Sequence, residues 1–313
     1  MNFPITASAP GSLMVLGEHA VLHGHPAIVT AIEQRITVDL EPHRSGYALV
    51  QSSLGKRELR LDNIDDSPPF QFVGAAIREV IQEQSLGLKL TITADMPPDI
   101  GFGSSAAVTV ATVAALHAIL GHERSPASLH EQALHCVRQV QGRGSGADVA
   151  ASTFGGMLLY RAEPVNIELL TGAAPMTVAW SGSKETTPNV VAMVESQREK
   201  DPTRMDALYK TAGELSLQAA DAIRSEAWDQ LGDIVNAGQE IMAAIGVSND
   251  HLDAVVQRLR RDPEIRGAKI SGAGLGDCVM GIGIASGSEW PFQIIPAQVS
   301  HQGVFIDNEA MTS

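Results

Sequence analysis

The chain has 313 residues, and its 22 Lys and Arg stand against 36 Asp and Glu for a net charge of −14. With 44% hydrophobic and 19% charged residues it carries enough apolar material for two packed domains or one large one, which excludes a disulfide-stapled miniprotein and a mainly disordered chain. A field of that sign repels nucleic-acid phosphates and anionic lipid, and no basic patch offsets it, so neither nucleic acid nor a membrane is expected as a partner.

Residues 1–11 lack the basic and apolar stretches of a secretion signal, and Cys136 and Cys278 stand far apart without CxxC spacing. Both features predict a reduced, cytoplasmic protein. Val, Ile and Thr with polar alternation predict extended segments at 5–9, 13–16, 23–26, 27–32 and 36–40. Further strands are expected at 47–51, 58–61 and 89–94, with a helix over 70–84 between them. The uncharged stretch 100–121 approaches the length of a membrane span. Its glycines, serines, threonines and His117, and acidic instead of basic flanks, read instead as a buried helix behind a glycine turn.

A helix over 125–141 follows, with Ser125 as N-cap and Pro126 in the first turn. Strands are expected at 156–160, 165–170 and 176–180. From about 188 to 259 the pattern turns helical, with apolar residues at three- and four-residue steps over 189–197, 205–223, 227–245 and 251–260. A second glycine turn at 271–276 then precedes the apolar run 278–284. The fold class is therefore α+β in two parts, 1–170 and 171–313, joined within 160–185.

Most of the chemical information lies in PDIGFGSSAAVTVATVAALHAIL, residues 98–120. Glycines and serines directly before an apolar helix let backbone N–H groups surround an anion at the favourable end of the helix dipole. Phosphate suits such a loop, and a hydroxyl of Ser104 or Ser105 can bind a phosphate oxygen or Mg²⁺. The segment has no Walker lysine and does not satisfy GxGxxG. A plain strand-to-helix turn is the simpler alternative for two glycines, but less so for the whole run Gly-Phe-Gly-Ser-Ser-Ala-Ala.

This loop resembles the second motif of the GHMP kinase superfamily, with Phe102 in place of the common Leu. SAPGSLMVLGEHAVLHGHPAIVTAI at 8–32 is similar to the first motif of that superfamily, and KISGAGLGDCVMGIG at 269–283 to its third. Within it, GEHAVLHGHPAIV at 17–29 is most like mevalonate kinase, and residues 141–150 also resemble phosphomevalonate kinase. The resemblance implies a two-domain GHMP kinase fold, with an N-terminal half like ribosomal protein S5 domain 2 and a ferredoxin-like C-terminal half. It implies ATP and Mg²⁺ as cofactors, an alcohol such as mevalonate as phosphoryl acceptor, and a possible homodimer.

Residue by residue, the resemblance places the ATP phosphates on Pro98, Gly101, Gly103, Ser104, Ser105 and Ala106, with Ser105 also toward the metal. Asp148, in GRGSGADVAASTFGG, matches the segment bearing the catalytic aspartate; capping of the helix after it is the alternative. Ser12 stands where mevalonate kinases carry a lysine, so it takes the catalytic position without a charge. Arg143 and Lys184 are the candidate replacement cations, each equally readable as a solvent-facing side chain. Val137, eleven residues before Asp148, occupies the place of a metal-binding glutamate and reads as core. Glu18, His19, Thr187 with Thr186, Gly272 and Ala273 fall on the acceptor side, and Lys269 reads as support for a strand end. The loss of charge at Ser12 and Val137 also leaves open a catalytically weak ligand sensor on the same scaffold.

Overall fold

The computed structural model describes residues 4–65, 67–81, 86–96, 100–122, 125–183, 185–287 and 289–307. In chain order the strands are β1 Ile5–Leu16, β2 Ala27–Pro42, β3 Tyr47–Ser52, β4 Gly55–Arg60, β5 Leu88–Ala94, β6 Met157–Ala162, β7 Val165–Leu170, β8 Met176–Trp180, β9 Gly267–Ser271, β10 Cys278–Ile282, β11 Gln293–Ala297 and β12 Phe305–Asp307. The helices are α1 Gln71–Val80, α2 Ser104–Ile119, α3 Pro126–Gln141, α4 Ala147–Phe154, α5 Thr187–Lys200, α6 Pro202–Arg224, α7 Trp228–Ile245 and α8 Asp250–Arg260.

Two sheets organise the molecule. The first runs β12-β1-β2-β5-β3-β4, with β6 and then β7 joined beside β5 on the same edge of β2. Pairing is antiparallel except for β3 with β5. At 16 residues β2 is long enough to hold β1 on one side and both β5 and β6 on the other. The second sheet, β11-β8-β10-β9, is antiparallel throughout and carries α7 and α8 against β9 and β10.

The glycine-loop helix α2 is apolar all round because it is enclosed all round, packing on β1, β2, α1, α3 and α4. Its polar Thr109 and Thr112 donate to the Ser105 and Val108 carbonyls at 2.7 Å, so neither brings an unsatisfied hydroxyl into the core. No described helix is long and apolar enough to cross a membrane. The expected cap is present at α3, where the Ser125 hydroxyl accepts the Ser128 N–H. Asp201 and Asn249 cap α6 and α8 in the same way. The stripes of α5, α6, α7 and α8 meet in a second core built around Val190, Tyr209, Met242, Leu252, Val256 and Ile270.

Three differences from the sequence expectation matter for the site. Segments expected as separate strands fuse into β1 and β2, with a register shift at Pro10/Gly11 in place of a break. The expected extended segment at 23–26 gives way to a 3₁₀ turn, Ala20–His23. The last strand, β12, pairs with β1, so the C-terminal segment returns to the first sheet.

Candidate active site

The central contact joins the first sheet to α4. Ser12 on β1 donates from its hydroxyl to Asp148 Oδ1 at 2.8 Å. Ser12 is fully buried beneath the carboxylate, whereas Asp148 lines a cleft of about 710 Å³. The loop before α2 presses on the same point: the Ser12 N–H donates to the Phe102 carbonyl at 3.0 Å. A Cβ on Gly103 would stand 2.0 Å from Ser12 Oγ, and Gly103 has φ +64°. Glycine is required there on both counts.

Asp148 is the second residue of α4, behind Gly146 at the N-cap, and the hydrogen bond described for its side chain is the one from Ser12, with none from the backbone of the helix. The capping alternative therefore does not hold. Burial pushes the Asp148 carboxyl above its ordinary value, and the donated Ser12 hydroxyl pulls it partly back. Among the described residues no cation contributes to this balance. The group is a proton acceptor of raised basicity, held in one orientation.

Removing the Ser12 hydroxyl withdraws the group that favours the ionised carboxylate. In Ser12→Ala the acid limb of the kcat–pH profile is thus expected at higher pH than in the wild type, with a lower kcat at neutral pH. A profile superimposable on the wild type would contradict the assigned contact.

The turn after β1 supplies a second group of residues. Glu18 pairs with Lys269 of β9 at 2.5 Å, and both side chains are buried, at 4% and 0% exposure. Lys269 Nζ also donates to the Ile270 carbonyl. Burial pushes the Lys269 ammonium below its ordinary value, against the attraction of Glu18. Lys269 thus supports the strand end as expected, and Glu18, which reaches the cleft, has Oε1 committed to that pair. His19 is held at φ +59° and donates from Nε2 to the Ala273 carbonyl at 2.9 Å. Burial lowers its pKa and so favours the neutral imidazole, while the bond to a carbonyl, which can only accept, places the proton on Nε2. The first and third glycine motifs are thereby bonded to each other.

The opposite wall comes from α5. Thr187, Val191, Glu195 and Glu199, spaced four residues apart, share one helix face and all line the cleft. Glu195 Oε1 is bound to His23 Nε2 at 2.7 Å, and the His23 ring stacks on Tyr209 at 4.6 Å. Sequence reasoning named only Thr187 on this helix. The four-residue step from it was the signal that would have found the others.

The cleft therefore gathers Gly101, Gly103, Ser104, Ser105, Ala106, Arg143, Asp148, Glu18, His19, Thr187, Gly272 and Ala273. Pro98 and Lys184 lie outside the described residues. Thr186 occupies the N-cap position of α5 but makes no side-chain cap. Val137 is core, as its stripe indicates, and its surface also reaches the cleft. Asp277, missed in the sequence although it lies within the third motif, lines the cleft at φ +62° with its carboxylate against Gly101.

No group of three or more acidic, His or Cys side chains among the described residues forms a metal cage. The donor set is instead hydroxyls at the start of α2 with a nearby carboxylate. Such a set fits an ion that keeps most of its ligands from water and phosphate, as Mg²⁺ does.

Residues 71–156 match the model of the GHMP kinases N-terminal domain, and residues 219–286 that of the GHMP kinases C-terminal domain. The mevalonate kinase of Archaeoglobus fulgidus is 35% identical over 277 residues, covering 88% of this chain and 91% of that protein. That of Pyrococcus furiosus is 32% identical over 296 residues, covering 88% of each. Among solved structures, the Methanococcus jannaschii mevalonate kinase superposes with a TM-score of 0.80 at 21% identity, covering 95% of this chain and 99% of that one. With the fold in two parts, three glycine motifs around one cleft and relatives of this similarity over most of its length, the chain belongs to the GHMP kinase family.

Proposed function

We propose that the protein transfers the γ-phosphate of ATP to the primary alcohol of mevalonate. The observation that carries this reading is the Asp148 carboxylate, fixed by Ser12 and facing a cleft floored by the start of α2. The similarity to mevalonate kinases over 88% of the chain supports the choice of acceptor.

The chemistry follows from the residues in place. Backbone N–H groups of the loop at 101–106 and the positive end of α2 receive the triphosphate, and the Ser104 and Ser105 hydroxyls add donors. Asp148 takes the proton of the acceptor hydroxyl as the phosphorus–oxygen bond forms, and Ser12 keeps the carboxylate aimed. Mg²⁺, held by Ser105 with the nucleotide and water, would neutralise charge that develops on the transferring phosphoryl group. Arg143 is the cation among the described residues lining the cleft, and with Lys184 it is the proposed counter-charge for the phosphoryl group. His19, Glu18, Thr187, Gly272 and Ala273 form the proposed acceptor wall.

Glu195 and Glu199 on that side disfavour an acceptor with a further phosphate, which supports mevalonate over its 5-phosphate. The two sheets support a division near residue 170, with β12 handed back to the first part.

The test is ADP release with a panel of acceptors: mevalonate, mevalonate 5-phosphate, galactose and homoserine. The expected result is a kcat/KM for mevalonate well above the rest. Turnover of another acceptor with none of mevalonate would overturn the assignment.

A further inference from the structure

Asp148 is aimed by more than Ser12. The turn that delivers it, 144–146, has its backbone held by three side chains from two other elements. The Arg138 guanidinium of α3 donates from Nε to the Gly144 carbonyl at 3.1 Å. The Tyr160 hydroxyl of β6 donates to the Ser145 carbonyl at 2.6 Å. The His130 imidazole of α3 stands against the backbone of Gly146, which raises its pKa against the effect of burial. Successive peptide units of one turn thus each have a dedicated side chain. The Ser145 hydroxyl completes the arrangement by accepting the Ala147 N–H at 3.2 Å.

Tyr160 is the centre of this group. It is fully buried, and burial pushes its phenol up to about 12, so it remains a donor throughout the working pH range. A Cβ on Gly146 would meet Tyr160 Oη at 2.8 Å and Leu134 Cδ1 at 2.7 Å, at a backbone φ of +89°. The turn is therefore seated directly on the phenol. His130 packs with its ring 6.5 Å from that of Tyr160 and 5.9 Å from that of Phe154 at the far end of α4. Burial holds this imidazole below its ordinary pKa, so it stays neutral. None of the three side chains lines the cleft, whereas the turn they hold does.

We propose that Tyr160, with Arg138 and His130, is a positioning residue that fixes the 144–146 turn and thereby sets the Asp148 carboxylate on Ser12. The sequence separation explains the need. Ser12 and Asp148 lie 136 residues apart on different elements, and the seat of α4 on β1, β2, β6, α2 and α3 keeps them at 2.8 Å. A shift of about 1 Å in a reacting group costs on the order of 10²-fold in rate. A hydroxyl under the turn is therefore a rate determinant without touching substrate.

The proposal rests on Asp148 as the proton acceptor, so its test is arranged to separate the two. Tyr160→Phe removes the donor and keeps the ring; Arg138→Gln is a second variant on the outer part of the turn. In Tyr160→Phe, kcat is expected to fall about tenfold to a hundredfold with KM for ATP within about twofold. The acid limb of its kcat–pH profile should move to higher pH, as in Ser12→Ala. The double variant Tyr160→Phe/Ser12→Ala should lose less than the product of the two single losses, because both act through one carboxylate.

The activity-independent readout is ¹³C NMR titration of the Asp148 carboxyl in Asp-labelled protein, its resonance assigned by its absence in Asp148→Asn. The titration is expected to move in Tyr160→Phe and, by less, in Arg138→Gln. If mevalonate is not a substrate but this titration moves, the acceptor assignment fails and the positioning role stands. An unchanged titration, or rate losses that multiply in the double variant, would overturn the proposal. Loss of thermal stability in Tyr160→Phe with neither change would mark a purely structural tyrosine and would overturn it as well.

Discussion

Asp148→Asn is expected to lower kcat by about 10²–10⁴-fold, equivalent to about 3–5 kcal/mol of transition-state stabilisation. The amide matches the carboxylate in shape and still accepts from the Ser12 hydroxyl, so the seat of α4 and the thermal unfolding temperature should be retained. Only proton acceptance is removed. The effect should fall on kcat, with KM for ATP near the wild-type value, because the loop at 101–106 and the start of α2 are untouched. Steady-state kinetics with a titration of ATP at saturating acceptor would show this split. A variant with wild-type kcat would remove Asp148 from the reaction and leave it as a buried partner of Ser12.

The second large effect is on stability. Lys269→Met strands Glu18, a carboxylate with almost no exposure whose charge is balanced at 2.5 Å by Lys269 alone among the contacts described for it. Loss of one member of a buried pair typically costs about 3–5 kcal/mol, a large part of the 5–15 kcal/mol that keeps an ordinary domain folded. A drop of roughly 10 °C in unfolding temperature is the corresponding expectation. Replacing both partners, in Lys269→Met/Glu18→Gln, should recover much of that loss, because the orphaned charge is gone. The double variant is nevertheless expected to bind acceptor poorly, since Glu18 stands beside His19 in the proposed acceptor wall. Equal unfolding temperatures for Lys269→Met and the wild type would contradict a structural ion pair.

How far the residues announced this arrangement depends on the range of the interaction. The phosphate loop was legible because its whole logic is local: glycine and serine immediately before a helix that is apolar on every side. The helices from α5 to α8 were legible because burial of one face imposes a three- and four-residue period, whereas the caps of α6 and α8, Asp201 and Asn249, were not named from the sequence.

The contacts that make a site of these pieces were not legible in that way. Ser12 could be recognised as a missing charge, but not as the hydroxyl under Asp148, since the two meet through pairing of β1, β2 and β6. Glu18 and Lys269, 251 residues apart, became a pair only when β9 was placed against the turn after β1. β11 and β12 escaped notice, since it is register with β8 and β1 that creates them. His19 was read as an acceptor group, and its left-handed backbone and bond to Ala273 show that it also ties two motifs together.

The return of β12 to the first sheet bears on how the protein is made. β1, the strand that carries Ser12, leaves the ribosome long before β12, and its outer edge waits for residues 305–307 before it is covered. Arg35 of β2 likewise waits for Ser300 and for the carbonyls of Gln302 and Gly303, which it binds. The N-terminal half therefore emerges with an open sheet edge throughout synthesis of the rest, the condition under which nascent chains pair wrongly with one another. A ribosome stalled between residues 170 and 305 would hold a first sheet that has its whole phosphate loop and still lacks its closing strand.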